Sequence, residues 1–313
     1  MYQNHFNLRQ LPFSLTPDTE LICFTPSFQA AYNDVMMAIV SGEGFVKVIA
    51  EVGTGKTLLC RAILNNLEKQ GIVTAYLHNP LLTPEESYCA LASELGLTLP
   101  EGRGVSNHVK LITNRLLELT QEGKRVVLLA DEAQALSDST LEAIRLMGNL
   151  ETEKRKIMQV VLFGQPELDQ RLLSQPNLRP LRQRIAFATR LLPLKEDEIG
   201  EYLNHRLQMA GYQWEDPLFS AHGVGLLYRI TGGNPRMVNV LAHKSLLAAF
   251  GDGKSEVTIA HVEQAIEDSI HLPLQHPPWW RKLLEISFWL VPMVLVVVFA
   301  MLLVVAASLY LYW

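Results

Sequence analysis

The sequence predicts an α/β fold: a parallel sheet wound with helices on both sides, then a small all-α domain and an apolar C-terminal span. Three observations predict it. Between residues 27 and 194, strand-like runs alternate with helical patterns, the rhythm of an open parallel sheet. Runs such as Val126–Ala130 and Val160–Phe163 are apolar at consecutive positions, which is how strands read when helices cover both faces. From Lys195 the strands stop, and only helical patterns follow until an uncharged stretch of 28 residues, Ile286–Trp313.

Residues 1–26, with Pro12, Pro17 and Pro26, read as an extended, turn-rich segment. Ser27 is placed to cap a helix to about Val40, with Phe28, Ala31, Tyr32, Val35, Met36 and Ile39 on one face. "FVKVIA" is a strand, followed by a helix from Lys56 to about Gln70 and a second strand, "IVTAYL". Thr83-Pro84 opens the next helix, with proline at its first position, and Ser106 opens another to about Glu122. "RVVLLAD" is a third strand, with a helix near Ser139–Asn149 after it; "IMQVVLFG" and "RIAFATRL" are the fourth and fifth. The α/β domain so defined spans 27–194. The helical domain, 195–270, holds the patterns Glu196–Ala210, Pro217–Thr231, Pro235–Phe250 and Thr258–Ser269.

Residues 271–282 are proline-rich and form a linker. Residues 283–313 form a transmembrane helix, because a bilayer core takes about 20 apolar residues. Trp279, Trp280, Arg281 and Lys282 before the span, and Tyr310, Tyr312 and Trp313 at its end, suit the two interfaces and keep the N-terminal region on the cytoplasmic side. Met1–Gln10 has no apolar core and is no signal peptide.

The net charge is −5; the tail from His271 carries Arg281 and Lys282 against Glu285, leaving −6 for the rest. That balance argues against a nucleic-acid partner, which calls for a basic surplus. Cys23, Cys60 and Cys89 show no metal spacing, lie among apolar residues and read as core or near-core thiols of a reducing compartment. The nine histidines form no HxxxH or HxH pair, which speaks against a histidine-ligated metal centre.

The chemistry starts in "AEVGTGKTL", the loop of Ala50, Glu51, Val52, Gly53, Thr54, Gly55, Lys56, Thr57 and Leu58. It closes as G-K-[ST], between a predicted strand and a predicted helix, but Ala50 stands where the first glycine of G-x-x-x-x-G-K-[ST] belongs. Gly53 and Gly55 let backbone N–H groups turn toward phosphate. Lys56 is placed to reach the β/γ-phosphates, and Thr57 to ligate Mg²⁺. Ala50 ends the strand, where a methyl is tolerated if φ stays negative.

Far downstream, "RVVLLADEAQ" ends a strand in Asp131-Glu132. Such a pair presents one carboxylate, Asp131, to the metal and a second, Glu132, to the attacking water. "LFGQPEL" puts Gln165 near those carboxylates if the third and fourth strands are neighbours. "NLRPLRQRIAF" gathers Arg179, Arg182 and Arg184, and arginines that stabilise a transferring phosphate are often supplied from outside the site. In "TGGNPRMVN", Arg236 opens a helix, a position that opposes the helix dipole and suits a bound phosphate group.

Together these motifs resemble the AAA+ ATPases, a P-loop NTPase superfamily. "AEVGTGKT" matches the Walker A loop, "VVLLADE" Walker B, Gln165 sensor 1, "RPLRQRI" the arginine finger and "GNPR" sensor 2 in a helical lid. Within that superfamily the sequence resembles the ExeA/GspA group, and most of all its MshM-type pilus-biogenesis members. It does so through "FNLRQLPFSLTPDTELICFTPS", "GQPELDQRL" and "LRPLRQRI". The resemblance covers residues 5 to 270. It implies ATP with Mg²⁺, a homo-oligomer in which Arg184 first and Arg182 second act on a neighbour's nucleotide, and assembly partners at the bacterial inner membrane. The service implied is assembly of a type IV (MSHA-type) pilus or of type II secretion machinery. A DNA-associated ATPase of the transposition-helper or origin-binding kind shares "GQPEL"-like sequences; the apolar tail and acidic balance favour the membrane reading. A scaffold that binds ATP without turnover is a third reading, opposed by the carboxylate of Glu132.

Overall fold

The computed structural model describes residues 2–16, 18–99, 104–151, 156–214 and 216–269. The predicted linker, 271–282, and the predicted span, 283–313, lie outside them. Among the described residues no helix is long and apolar enough to cross a membrane.

The chain opens with a single helical turn, α1 (Tyr2–His5), and continues to α2 (Pro26–Val40). Strand and helix then alternate through β1 (Phe45–Ala50), α3 (Lys56–Lys69), β2 (Val73–Leu77), α4 (Pro84–Glu94), α5 (Val105–Gln121) and β3 (Val126–Ala130). The domain closes with α6 (Asp138–Gly148), β4 (Gln159–Gly164), α7 (Pro166–Ser174), α8 (Arg179–Arg184) and β5 (Phe187–Leu191). Among the described residues four helices follow: α9 (Glu196–Met209), α10 (Ala221–Thr231), α11 (Pro235–Gly251) and α12 (Ile259–Glu267).

The five strands form one parallel sheet in the order β2-β3-β4-β1-β5. Consecutive apolar residues divide between its faces. Val46, Val48 and Ala50 pack with α2 and α3 through Phe28, Val35, Ile39, Leu59 and Ile63. Phe45 and Ile49 pack on the other face with Leu91, Leu116 and Ile144 of α4, α5 and α6. This two-sided burial is the reason the central strands β3 and β4 lack polar alternation, whereas the edge strand β5 alternates.

Several boundaries differ from the sequence reading for local reasons. The cap of α2 is Thr25, with Pro26 at the first position, while Ser27 gives its N–H and hydroxyl to buried Glu198 on α9 at 2.7 and 2.8 Å. α5 starts after Gly104 rather than at Ser106, and α10 starts after its Ser220 cap rather than at Pro217. "QPEL" and "RPLRQR", given no secondary structure by the sequence reading, open the helix α7 and form the helix α8. Thr83 caps α4 in a reciprocal capping box with Glu86, as its Thr-Pro-x-Glu spacing predicts.

The N-terminal segment is not merely extended. Tyr2, Phe6, Leu8, Phe13 and Cys23 are buried in the core of the helical domain with Tyr202, Leu203, Leu227 and Leu241. Buried Arg206 secures this strap by donating to the carbonyls of Pro12 at 2.7 Å and Ser14 at 3.3 Å. A buried guanidinium is tolerated where its donors find acceptors. Cys23 and Cys60 are buried as expected, but Cys89 lies exposed on α4.

Candidate nucleotide site

The phosphate loop connects β1 to α3. Ala50 is buried at the end of β1 and pairs with Leu191 of β5. Among the described residues only Asn7 and Glu132 combine a side chain with positive φ, so Ala50 carries its methyl without strain. Gly53 and Gly55 have φ of +84° and +102°, a region that disfavours any Cβ. Thr54 is buried and its hydroxyl donates to the Glu51 carbonyl at 2.8 Å, bracing the turn. Glu51 and Val52 are exposed. Lys56, Thr57 and Leu58 form the first turn of α3, where free N–H groups and the helix dipole favour an anion.

Lys56, only 6% exposed, turns onto both carboxylates at the end of β3. Its Nζ donates to Asp131 Oδ1 at 2.5 Å and also to Glu132 Oε1. Thr57 Oγ1 donates to Asp131 Oδ2 at 2.9 Å. Asp131 itself is 4% exposed and also accepts from the Glu132 backbone N–H at 2.8 Å. Glu132 holds φ of +52°, an uncommon left-handed conformation for a side-chain-bearing residue, of the kind that collects at functional sites. β3 lies beside β4 in the sheet, and Gln165 at the end of β4 reaches Glu132 Oε2 with its amide at 3.0 Å. Burial works against the Glu132 charge, yet donation from Lys56, Gln134 and Gln165 holds its pKa below the ordinary value.

The helical domain closes over the loop. Asn234 caps α11, accepting from the N–H groups of Arg236 and Met237 at 3.1 and 3.3 Å. Its amide nitrogen donates to the Val52 carbonyl at 2.7 Å, and the Arg236 N–H donates to the Gly53 carbonyl at 3.1 Å. A Cβ on Gly53 would lie 2.7 Å from Asn234 Oδ1 and 2.9 Å from Arg236 Cβ, so the glycine is needed for this approach as well. Arg236 is exposed beside the loop.

The remaining arginines are elsewhere. Arg179, Arg182 and Arg184 are exposed on or beside α8, without an ion pair or side-chain hydrogen bond among the described residues. They precede Phe187, which pairs with Val46 at the start of β1. At about 3.3 Å per residue, that end of the strand is roughly 13 Å from Ala50. The sheet therefore does not bring Arg182 or Arg184 to Lys56 of the same chain. Conversely, three residues inside the quoted motifs, to which the sequence reading gave no role, act in this neighbourhood: Gln134, which donates to Glu132 Oε2 at 2.5 Å; Asn234; and Arg171, which donates to the carbonyls of Gln134 and Leu136.

The arrangement fits a nucleotide with Mg²⁺. Gly53 and Gly55 keep the loop free of Cβ atoms, Lys56 supplies the cation, and Thr57 Oγ1 with Asp131 Oδ2 supplies a pair of hard oxygen ligands. Among the described residues no group of three or more His, Cys, Asp and Glu could hold a metal alone. Mg²⁺ suits such a sparse donor set, because it retains waters and shares substrate phosphates.

Residues 38–172 match a family profile described as an AAA domain, and the matched span contains the loop, both carboxylates and Gln165. The chain carries an AAA domain. Over 265 residues, 85% of its length, it is 38% identical to the General secretion pathway protein A of Aeromonas hydrophila, which supports the ExeA/GspA group. The chain spans about half the length of that relative, 48%. Among solved structures it is similar to Cdc6p from Pyrobaculum aerophilum, with a TM-score of 0.62 and 17% identity over 82% of this chain and 70% of that one. It is also similar to the Drosophila ORC bound to DNA, with a TM-score of 0.59 and 20% identity over 83% of this chain and 66% of that one. At such identities the likeness speaks for the fold of the AAA domain and its helical lid alone.

Proposed function

We propose that this chain is an ATP-hydrolysing member of the ExeA/GspA group, acting at the bacterial inner membrane in assembly of type II secretion machinery or of a type IV, MSHA-type pilus. One observation carries the enzymatic part: Lys56, Thr57, Asp131, Glu132 and Gln165, from three separate segments, meet in one hydrogen-bonded cluster beneath the phosphate loop.

Each residue has a step to perform. The loop and the first turn of α3 bind the phosphates through backbone N–H groups and the Lys56 ammonium. Thr57 and Asp131 would hold Mg²⁺, which when bound neutralises charge on the phosphate oxygens. Glu132 orients and polarises the attacking water, and Gln165 beside it registers the terminal phosphate. Arg236 compensates phosphate charge from the lid, and Arg184, with Arg182 second, serves the nucleotide of a neighbouring copy in a homo-oligomer. The predicted span at 283–313 supplies the membrane anchor, with the AAA domain on the cytoplasmic side. The relative's name supports the secretion reading, and the opening "FNLRQLPFSLTPDTELICFTPS" supports the ExeA/GspA group as a whole.

The test is ATP turnover by the full chain in detergent, with Lys56→Ala and Glu132→Gln beside it, and identification of proteins co-purifying from membranes. Lys56→Ala is expected to lose nucleotide binding, and Glu132→Gln to retain ATP without turnover. Unchanged ATP affinity in Lys56→Ala would sink the reading of the loop. Salt-steep DNA binding without secretion or pilus proteins would replace the assembly role with a DNA-associated one.

A further inference from the structure

The Glu132 carboxylate is held through both oxygens. Oε1 faces Lys56, while Oε2 accepts from the amides of Gln134 at 2.5 Å and Gln165 at 3.0 Å. Gln134 makes a second bond: its Oε1 accepts the backbone N–H of Gln165 at 3.1 Å. One side chain therefore joins the carboxylate after β3 to the backbone after β4. Its own backbone is anchored by Arg171 on α7, whose Nη1 donates to the carbonyls of Gln134 at 2.6 Å and Leu136 at 2.9 Å, while Nη2 pairs with Asp138. This position needs a donor and an acceptor at once, and an amide supplies both. A glutamate here would set two carboxylates together, and a methionine would fill similar space with neither function.

We propose that Gln134 is a positioning residue for hydrolysis: it fixes the direction of the Glu132 carboxylate and ties it to the end of β4, so that the carboxylate moves with Gln165. This rests on the reading of Glu132 as the group that orients water, and deepens it by naming the part that aims it. Arg171 holds the short 3-10 turn on which Gln134 sits, so α7 is part of the same support.

The experiment compares kcat for ATP and Kd for ADP in the full chain, in detergent, for wild type, Gln134→Met, Gln134→Glu, Glu132→Gln and the double variant Glu132→Gln/Gln134→Met. Both Gln134 variants are expected to lose roughly 10- to 100-fold in kcat, the weight of a hydrogen bond to a charged group. Their Kd for ADP should stay within about twofold of wild type, and the double variant should be no slower than Glu132→Gln alone, because both residues act through one carboxylate. Wild-type kcat in Gln134→Met overturns the proposal. So does a parallel loss of ADP affinity or a further drop in the double variant, either of which marks a merely structural residue. Wild-type turnover in Glu132→Gln removes the reading of Glu132 and the proposal with it. An inactive Glu132→Gln beside an unimpaired Gln134→Met removes the role of Gln134 alone.

Discussion

Restoring the missing glycine is expected to damage the protein. Ala50 ends β1 at 2% exposure, packed with Val48, Leu59 and Leu191, and its φ is not positive. Ala50→Gly removes a buried methyl, about 0.8 kcal/mol by transfer. It also frees a strand residue in the unfolded chain, about 0.5–1 kcal/mol. The sum, about 1–2 kcal/mol, lowers Tm by roughly 2–8 °C for a domain of this size. Nucleotide affinity should hold within about twofold, since the methyl faces the core beneath the loop and the phosphate-facing positions are Gly53 to Thr57. Thermal unfolding in buffer and ADP titration by calorimetry measure the two quantities. A rise in Tm, or a tenfold gain in affinity, about 1.4 kcal/mol, would show that the alanine strains the loop and would refute the reasoning.

Asn234→Asp keeps an acceptor for the cap of α11 but replaces the donor to Val52 with a carboxylate; about fivefold weaker ADP binding is expected for one lost hydrogen bond. An unchanged calorimetric Kd would show that the bond between lid and loop has no part in binding. Mixing Arg184→Ala with Lys56→Ala subunits should recover part of the ATP turnover that each lacks, since Arg184 lies at the strand end remote from its own loop. Inert hybrids would count against action between copies. In the native protein a bulky maleimide should modify Cys89 at once and leave Cys23 and Cys60 until unfolding. Burial pushes Cys23 up to about 11 and raises Cys60 as well, so both stay as unreactive thiols near neutral pH. Rapid modification of three thiols, read by mass spectrometry, would contradict that burial.

The central strands β3 and β4 were legible because covering helices on both faces demands uninterrupted apolar runs, and the phosphate loop because its glycines and lysine have few other uses together. Other features were hidden for reasons that can be named. α7 and α8 are short, open with or contain proline, and are mostly polar outside, so they look like turns. The aromatic residues of the N-terminal strap, Tyr2, Phe6 and Phe13, are buried mainly by partners on α9, α10 and α11, about 200 residues away in the chain. Cys89 has apolar neighbours in sequence but points outward, because α4 exposes the face on which it lies.

Within the site the division is sharper. Lys56, Thr57, Asp131 and Glu132 were readable as types of residue with one chemistry between them. That Gln165 reaches Glu132 depended on β3 and β4 being neighbours, which spacing alone leaves open. Gln134, Arg171 and Asn234 are ordinary polar residues in sequence and acquire partners only through the strand order β2-β3-β4-β1-β5 and the docking of the lid. The sequence by itself determined the alternation of elements and the chemical content of the loop, because both follow from local periodicity and residue type. Only the tertiary structure decided which amide faces which carboxylate, because a hydrogen bond tolerates displacements of tenths of an ångström and strand order sets positions far larger than that.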